Sequence, residues 1–319
     1  MPDRPYLKPW YRHTEAGGRL VLEYGQSTVV LEGRAVARLM PHLMPLLDGT
    51  RTLDDIDRAL GEAVAPAVRH ALTVLADRGL LLDGPSLGAE LAASVADTVH
   101  FFAAASHAPS LASCEEMLGR AQVVVVGTGP CARDIAAQLG GAGVAKVEVV
   151  DWAAVVPPDA VDLAIAAPEP EELSEITTWN RQALDTGTPW LQVLPYDGRI
   201  AAVGPLYVPG ETGCYECFGL RRSANVSYPS ADYRALQDVP AAYPCPPPLR
   251  MMVVGLGAML ALQWLSDRAV GPGQSAVPAT MHALAWSGTL QHSTHRLHRV
   301  PRCPVCFPDD QGTPSPWHD

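Results

Sequence analysis

The sequence has very little lysine and no long apolar run. Its 23 basic side chains include only two lysines, Lys8 and Lys146, against 34 acidic side chains, and the net charge is −11 at pH 7. Phosphate binding requires a basic surface, so this balance argues against a nucleic-acid partner. No run of 18 apolar residues occurs, and residues 1–6 lack the apolar core of a signal peptide. We therefore predict a cytoplasmic protein that does not bind a membrane.

Four of the seven cysteines form two closely spaced pairs. Cys214 and Cys217 make the first C-x-x-C pair, and Cys303 and Cys306 make the second, with 85 residues between the pairs. Four thiolates at this spacing close a tetrahedral zinc site and leave no coordination position for water or substrate, so the predicted zinc has a structural role. Two disulfides in a secreted protein are the alternative. The odd number of cysteines and the N-terminal sequence disfavour it.

The other cysteines, Cys114, Cys131 and Cys245, are not at metal-ligand spacing. Cys131 falls where a helix is predicted to begin, a position that can lower the pKa of a thiol. Cys245 lies in the proline-rich segment 244–248, which is predicted to be an exposed loop. We interpret all three as structural or incidental.

Residues 1–83 show the pattern of a small unit with strands and helices. A chain of 319 residues with 48% apolar residues is expected to form two or three domains. In the first of them, strands are predicted at 6–13, 20–24 and 27–31, with glycine turns at 17–18 and at 25. Helices are predicted at 34–47, where two prolines favour a kink or an early end, at 52–60 and at 66–79, before a strand at 80–82. This order is typical of a winged helix.

The charge of this segment excludes the usual role of a winged helix. Its third helix carries only Arg69 and Arg78 as basic residues, which is too few for DNA recognition. Residues 1–83 contain 10 basic and 11 acidic side chains, whereas residues 84–319 contain 13 and 23. The first segment is therefore nearly neutral, and it can accept an acidic partner that the rest of the chain would repel.

Two short passages carry a specific resemblance. Residues 31–36 (Leu-Glu-Gly-Arg-Ala-Val) and 75–81 (Leu-Ala-Asp-Arg-Gly-Leu-Leu) resemble the RiPP recognition element, a PqqD-like domain that binds the leader of a ribosomal precursor peptide. The resemblance implies that a leader peptide adds as an extra strand beside the third strand and against the third helix, by β-augmentation. The residues that it assigns to leader binding are Ser27, Thr28, Val29, Val30, Leu31, Val68, Arg69, Leu72, Thr73, Leu75 and Ala76. A plain folding or dimerisation module is the alternative.

The next part of the chain has the order of elements with which a nucleotide-binding fold begins. After a connecting helix predicted at 87–105, residues 122–126 form an apolar run typical of a buried parallel strand. Gly127 and Gly129 make a turn into a helix predicted at 133–139, and a second strand, 146–150, ends at Asp151. This order predicts the first unit of a Rossmann-like fold. A G-x-G turn alone does not establish that a nucleotide binds.

Together with the two cysteine pairs, this pattern resembles the E1-like ThiF/MoeB adenylyltransferases over residues 112–308. The resemblance implies a homodimer with a four-cysteine zinc site. Active members have a richer glycine loop, whereas this loop continues with Pro130, Cys131 and Ala132, and a proline offers no N–H to a phosphate. No asparagine or arginine follows Asp151 directly, and neither lysine is near the loop. We interpret Gly127, Gly129 and Asp151 as a vestigial nucleotide loop and expect that this chain does not use ATP.

The whole arrangement resembles one known group, the ThiF-like leader-binding partner proteins of YcaO cyclodehydratases. These proteins occur in the biosynthesis of thiopeptides and other thiazole/oxazole-modified peptide antibiotics. The resemblance implies a non-catalytic subunit that binds a precursor leader and presents the peptide to a separate, ATP-using YcaO enzyme, which forms azolines at Cys, Ser and Thr. The implied organisation is a recognition element (1–83), a connecting helix (84–111), a degenerate E1-like domain (112–308) and a tail (309–319). An active E1-like adenylyltransferase acting on a peptide is the main alternative, and a dinucleotide-dependent oxidoreductase is disfavoured by the cysteine pairs.

Overall fold

The chain forms two compact units, Met1–Met117 and Leu118–Asp319. The computed structural model describes residues 1–88, 90–105, 110–154, 161–225, 243–268, 275 and 277–307. The tail predicted at 309–319 lies outside these residues. The sequence pattern placed the start of the second domain at residue 112, a few residues before the observed division.

The first unit contains two small antiparallel sheets and a set of helices. Its strands are β1 (Pro5–Leu7), β2 (Arg12–Ala16), β3 (Arg19–Tyr24), β4 (Ser27–Glu32) and β5 (Leu81–Asp83), and its helices are α1 (Arg34–Leu43), α2 (Leu53–Leu60), α3 (Ala65–Asp77) and α4 (Ala93–Ala105). A further helix, α5 (Leu111–Arg120), spans the division between the units. Strands β2, β3 and β4 form one sheet in that order, and β1 pairs with β5.

Local sequence explains the turns of the first unit. Gly17 and Gly18 both have positive φ, +61° and +76°, as a two-residue type I′ hairpin requires. Thr52 caps α2 through a capping box, because its hydroxyl accepts from the Asp55 amide at 3.3 Å while the Asp55 carboxylate accepts from the Thr52 amide at 3.1 Å. Leu20, Leu22 and Leu31 from the sheet are buried with apolar side chains of α1, α2 and α3 in one core.

Two predicted elements of this unit have wrong bounds, and one helix was not predicted. The strand predicted at 6–13 is two strands, β1 and β2, because the chain turns at Pro9 with the Tyr11 amide bonded to the Lys8 carbonyl at 3.2 Å. The helix predicted at 87–105 starts only at Ala93, since Pro85 and Gly88 disfavour an earlier start. Helix α5 was missed, although its N-terminal signal is present: the Ser110 hydroxyl accepts from the Ser113 amide at 3.0 Å. The expected early end of the first helix is confirmed at Leu43.

The second unit is built around a seven-stranded mixed sheet. Its strands are β6 (Gln122–Val126), β7 (Lys146–Val150), β8 (Leu163–Ala166), β9 (Trp190–Leu194), β10 (Ile200–Tyr207), β11 (Thr280–Trp286) and β12 (Leu290–Arg296), in the order β12-β11-β10-β9-β8-β6-β7. Its helices are α6 (Pro130–Gly141), α7 (Glu175–Thr186), α8 (Tyr215–Ala224) and α9 (Pro247–Asp267). Strands β6 to β9 are parallel, and β10 to β12 are antiparallel. The sequence prediction for β6 and β7 is confirmed at both ends.

Helix α9 is a core helix of this unit. By length and composition alone it is apolar enough to cross a membrane, with a mean hydropathy of 1.5 over 18 residues, half of which are buried within the protein. Gly257 of this helix packs against the sheet. A Cβ there would lie 3.4 Å from Val193 of β9 and 3.9 Å from Val203 of β10. Burial against the sheet therefore accounts for the apolar composition of α9.

Candidate functional site

The four predicted zinc ligands lie together in the second unit. The sulfurs of Cys214, Cys217, Cys303 and Cys306 are all within 4.8 Å of one another. The Cys214 and Cys303 sulfurs are 3.8 Å apart, and those of Cys217 and Cys306 are 3.6 Å apart. A Zn–S bond of about 2.3 Å in a tetrahedral site places two sulfurs about 3.8 Å apart, so the cluster has the size that zinc requires. The predicted ligand set is confirmed as a cluster.

Hydrogen bonds connect the two chain segments that carry the cysteine pairs. The Arg299 guanidinium donates to the carbonyls of Gly210 at 2.6 Å and Thr212 at 3.1 Å, which lie just before the first cysteine pair. Arg221 on α8 donates to the His298 carbonyl at 2.7 Å, just before the second pair. The Val300 amide donates to the Cys217 sulfur at 3.3 Å, as backbone amides do around metal-bound thiolates. Hydrogen bonds therefore also position the backbone around the cluster.

The cluster needs a cation to ionise fully. The hydrogen bond to Cys217 raises the pKa of Cys214, burial raises the pKa of Cys306 to about 12, and the hydrogen bond from Cys214 lowers the pKa of Cys217 to about 4. Four thiols this close cannot all become thiolates without a compensating positive charge. Cys214, Cys217 and Cys303 are buried, so the arrangement fits a closed, structural zinc site.

The glycine loop lies at the topological switch point of the sheet. Strand β6 lies between β7 and β8. The chain passes from β6 to β7 on one side and then crosses to β8 on the other side of β6. Ligands of open parallel sheets bind outside the carboxyl ends of the strands at such a point. Gly127 follows β6 with φ of +147°, and a Cβ there would lie 2.3 Å from the Ala167 carbonyl. Gly129 directly precedes Pro130, the first residue of α6.

Two carboxylates lie against the glycine loop. A Cβ on Gly129 would lie 1.6 Å from Oε1 of Glu169, so this carboxylate lies directly against the loop. The Thr128 hydroxyl donates to Glu172 Oε1 at 2.5 Å, and the Glu169 amide donates to the other Glu172 oxygen at 2.9 Å. Burial raises the pKa of Glu172, but these hydrogen bonds outweigh it and lower the pKa overall, so Glu172 is ionised at neutral pH. A negative charge at the loop repels a phosphate.

Other groups near the glycine loop form short-range hydrogen bonds. Arg133, the arginine closest in sequence to the loop, donates to the Thr128 carbonyl at 2.7 Å. The Asp151 carboxylate is exposed and accepts from the Ala153 amide two residues on at 3.0 Å. The position of Cys131 at the start of α6 does not lower its pKa: burial, Glu169 and Asp134 raise the pKa of this thiol to about 12. Desolvation outweighs the helix terminus here.

Glu169 and Glu172 lie at the candidate site, although the sequence analysis did not select them. Both are only partly exposed and contact the glycine loop. The E-x-x-E spacing directly after the buried strand β8 was the available signal. Parallel pairing of β6 with β8 brings the segment after each strand to the same edge of the sheet.

We expect Glu169→Gln to stabilise the second unit at neutral pH. Burial, Glu172 and Glu171 raise the pKa of Glu169 above its ordinary value of 4.5. A carboxyl whose pKa is raised by folding destabilises the folded state above that pKa and has no such effect below 4.5. Glu169→Gln should therefore raise Tm by a few degrees at pH 7.5 and leave it unchanged at pH 4. Thermal unfolding at both pH values measures this, with Glu211→Gln as control, since Glu211 is an exposed residue of the same unit that does not contribute to the shift of Glu169. An equal gain at both pH values would contradict the electrostatic cause.

Strand β4, which carries the predicted leader-binding residues 27–31, is the edge of its sheet among the described residues. It pairs only with β3, from Tyr24 opposite Ser27 to Arg19 opposite Glu32. Leu31 is buried and Val29 is half-buried, so these side chains face the core, whereas Val30 is 43% exposed. One side of β4 therefore has backbone groups that are not engaged by a described strand.

The residues predicted on α3 divide into two groups. Val68, Leu72 and Leu75 are at most 1% exposed and belong to the core of the first unit. Arg69 is exposed and donates to the Asp57 carboxylate at 2.9 Å, and the Thr73 hydroxyl donates to the Arg69 carbonyl at 2.9 Å. Ala76 is half-buried. The three buried side chains pack in the core and hold α3 in place. Of the six predicted residues on α3, only Arg69, Thr73 and Ala76 are accessible to solvent.

Comparisons with known proteins find similar structures. No protein-family model matches the chain, and no curated protein matches it. The heterocyclase TruD is 26% identical to this chain, with a TM-score of 0.74. The match covers 96% of this chain and 43% of the TruD chain. A heterocyclase in complex with substrate and cofactor is 22% identical with a TM-score of 0.73, covering 95% of this chain and 39% of its own. This chain therefore spans about two fifths of the length of these heterocyclases.

A third structure matches from end to end. MccB from E. coli, in complex with AMPCPP and MccA, is 15% identical with a TM-score of 0.64, and the match covers 95% of this chain and 99% of MccB. The predicted fold class is thereby confirmed: an α/β protein with the E1/ThiF-like fold of MccB, small N-terminal sheets and a four-cysteine cluster. The chain is thus structurally similar to TruD and to MccB over nearly its whole length.

Proposed function

We propose that this protein binds the leader of a ribosomal precursor peptide and presents the peptide to a YcaO-type cyclodehydratase on a separate polypeptide. The cyclodehydratase uses ATP to form azolines, while this chain is a non-catalytic subunit. Binding the leader raises the effective concentration of the modifiable residues at the enzyme, so each encounter becomes nearly intramolecular. A homodimer held by the second units is part of the proposal.

One observation favours this function over adenylation. In a chain with the fold of MccB, the glycine loop at the switch point faces the carboxylates of Glu169 and Glu172. A nucleotide would have to displace Glu169 and tolerate the charge of Glu172. Strand β4 supports the binding role, since an edge strand is the element to which an extended peptide adds. Similarity to the heterocyclase TruD supports a role in heterocycle formation.

The test is to separate binding from ATP chemistry in the full chain. We expect a fluorescein-labelled leader peptide of the pathway's precursor to bind the full chain in a polarisation titration. We also expect ATP–pyrophosphate exchange to stay at background with the full-length precursor, and azoline formation to appear only when the cyclodehydratase is added. Peptide-dependent exchange by this chain alone would instead establish an E1-like adenylyltransferase. Absence of leader binding would overturn the proposal.

A further inference from the structure

A groove lies between α7, α8 and the loop of the second cysteine pair. Its volume is about 730 Å³, within the range of about 300–1,000 Å³ that is typical of ligand-binding clefts. Its apolar lining comes from Leu173 just before α7, Tyr215 and Phe218 on α8, and Pro304 and Val305 between the two cysteines of the pair. These residues all belong to the second unit. We call this surface the α7–α8 groove.

Two aromatic rings form the α8 side of the groove. The ring centroids of Tyr215 and Phe218 are 5.9 Å apart, with an angle of 31° between the ring planes. Both side chains pack against the core that contains Trp179 and Trp190, and both remain partly exposed. The rings are therefore supported by the core while part of their surface faces solvent. Grooves lined with aromatic rings bind proline-rich segments, because the proline rings pack against the aromatic faces.

Gly219 leaves the groove open beside these rings. It lies within α8 and lines the groove, and a Cβ at this position would have no neighbouring atom within 4 Å among the described residues. A glycine in a helix interior lowers helix stability relative to alanine. Packing against the described residues does not require this glycine. The space that a side chain would fill is therefore available to a ligand.

The proline-rich tail of this chain begins close to the groove. Residues 308–319 (Pro-Asp-Asp-Gln-Gly-Thr-Pro-Ser-Pro-Trp-His-Asp) follow Phe307, which is two residues after Val305 of the groove lining. Six residues separate Phe307 from Pro314, and six extended residues span about 20 Å. Covalent attachment at this distance gives the tail a high effective concentration at the groove, which a separate partner lacks. Proline also restricts the free segment, so less entropy is lost when it binds.

The charge of the tail is complementary to the α7 side of the groove. The tail contains Asp309, Asp310 and Asp319 and no lysine or arginine. Arg181 is exposed on α7, lines the groove and takes part in none of the ion pairs found among the described residues. The acidic residue of the lining, Glu216, is on α8. Exposed ion pairs contribute little free energy, so Arg181 orients the segment and the apolar contacts provide most of the affinity.

We propose that the α7–α8 groove binds residues 314–317 of this chain's own tail. The two prolines pack on the rings of Tyr215 and Phe218, and Trp317 fills the space beside Gly219. The aspartates that precede them in the tail approach Arg181. The inference does not depend on the proposed function, because the groove lies in the second unit and β4 lies in the first.

A competition experiment tests whether the tail occupies the groove. A fluorescein-labelled peptide of residues 308–319 is titrated with the full chain in a polarisation assay. In the wild type the attached tail competes with the added peptide. A full-length variant that combines Pro314→Ala, Pro316→Ala and Trp317→Ala should therefore bind the added peptide about tenfold more tightly than the wild type. A scrambled peptide of the same composition should not bind.

Gly219 provides the matched pair of variants that places the peptide in the groove. In the chain with the three tail substitutions, Gly219→Gln should abolish peptide binding because its side chain fills the groove, whereas Gly219→Ala should bind within about twofold of its parent. Both residues are better helix formers than glycine, so Tm should be kept or raised.

Three results would overturn the proposal. Absence of peptide binding by the chain with the three tail substitutions would exclude the tail as a ligand. Binding that survives Gly219→Gln would place the peptide outside the groove. Equal affinity of the wild type and the tail variant would mean that the groove is free in the full chain and takes a segment of a second copy or of another protein.

Discussion

Cys303→Ser is expected to abolish stoichiometric zinc binding and to destabilise the second unit severely. The Cys303 sulfur is fully buried and lies 3.8 Å from that of Cys214, so no other side chain can replace it as the fourth ligand. Structural zinc contributes about 10–16 kcal/mol of apparent binding free energy in small zinc-finger peptides. Loss of most of this binding free energy should lower the free energy of unfolding by about 4 kcal/mol or more. For a unit of this size, that corresponds to a decrease of about 10 °C in Tm.

The measurement pairs zinc content with thermal unfolding. Elemental analysis of the purified wild-type chain should give one zinc per chain, and the variant should give a small fraction of that. Cys245→Ser is the matched control, because Cys245 is in the same unit but outside the four-cysteine cluster. The control should keep its zinc and its Tm. A Cys303→Ser protein with full zinc content and the Tm of the wild type would exclude the closed four-thiolate site.

The specific effect of this change should be confined to the second unit. The cysteine ligands all lie in Leu118–Asp319, whereas β4 and α3 lie in Met1–Met117. Peptide binding measured below the unfolding temperature of the Cys303→Ser variant should therefore stay within about twofold of wild type, as expected for separate sites. Equal loss of zinc and of peptide binding would instead show that the two sites are coupled.

The zinc ligands and the start of the parallel sheet could be predicted because their signals are local. A C-x-x-C pair can be recognised from four consecutive residues. Two such pairs indicate a zinc site whether or not the fold that brings them together is known. The apolar run of β6 and the glycines after it indicate a buried strand and a sharp turn by the same short-range logic. These features needed no knowledge of tertiary contacts.

The features that were missed depend on pairing between distant segments. Glu169 contacts Gly129 because β6 and β8 are parallel neighbours in the sheet. In the chain, 39 residues lie between Gly129 and Glu169. The pairing of β1 with β5 likewise joins residues 5–7 to residues 81–83. The helical part of residues 87–105 was overestimated because alanine-rich composition favours helix, while Pro85 and Gly88 delay its start. Short-range patterns do not encode which strands become neighbours.

The glycine loop and the edge strand β4 are the two features that support the proposed function. Glu169 and Glu172 lie against the glycine loop. Recognition of an extended peptide needs an edge strand and side-chain pockets near it. Strand β4 offers such an edge among the described strands. The proposed peptide-binding role therefore depends most on β4.

The decisive change at β4 is Val30→Pro. Gly25, with φ of +58°, and Gln26 form a two-residue turn, so Tyr24 and Ser27 exchange both backbone hydrogen bonds. Pairs then alternate along the hairpin, and Val30, opposite Val21, is a pair without mutual hydrogen bonds. The Val30 N–H therefore points away from β3, toward the position of an added strand. Proline removes this donor, and its ring occupies the approach.

We expect Val30→Pro to weaken leader binding about tenfold to a hundredfold while the fold is kept. The bound peptide loses a backbone hydrogen bond and keeps an unsatisfied carbonyl, which costs about 1–3 kcal/mol. Proline is tolerated on an edge strand when its missing N–H faces solvent, so Tm should change little. Val30→Thr, which keeps the N–H and the branched shape, should bind the leader as the wild type does.

A neighbouring substitution separates backbone recognition from general damage. Val29 is opposite Leu22 in a hydrogen-bonded pair, so Val29→Pro removes a bond of the β3–β4 ladder and should lower Tm. Val30→Pro should show the reverse profile, with Tm kept and binding lost, in fluorescence polarisation with the full chain. If Val30→Pro binds the leader with the affinity of Val30→Thr, the peptide does not add to this edge. The leader site must then lie elsewhere on the chain.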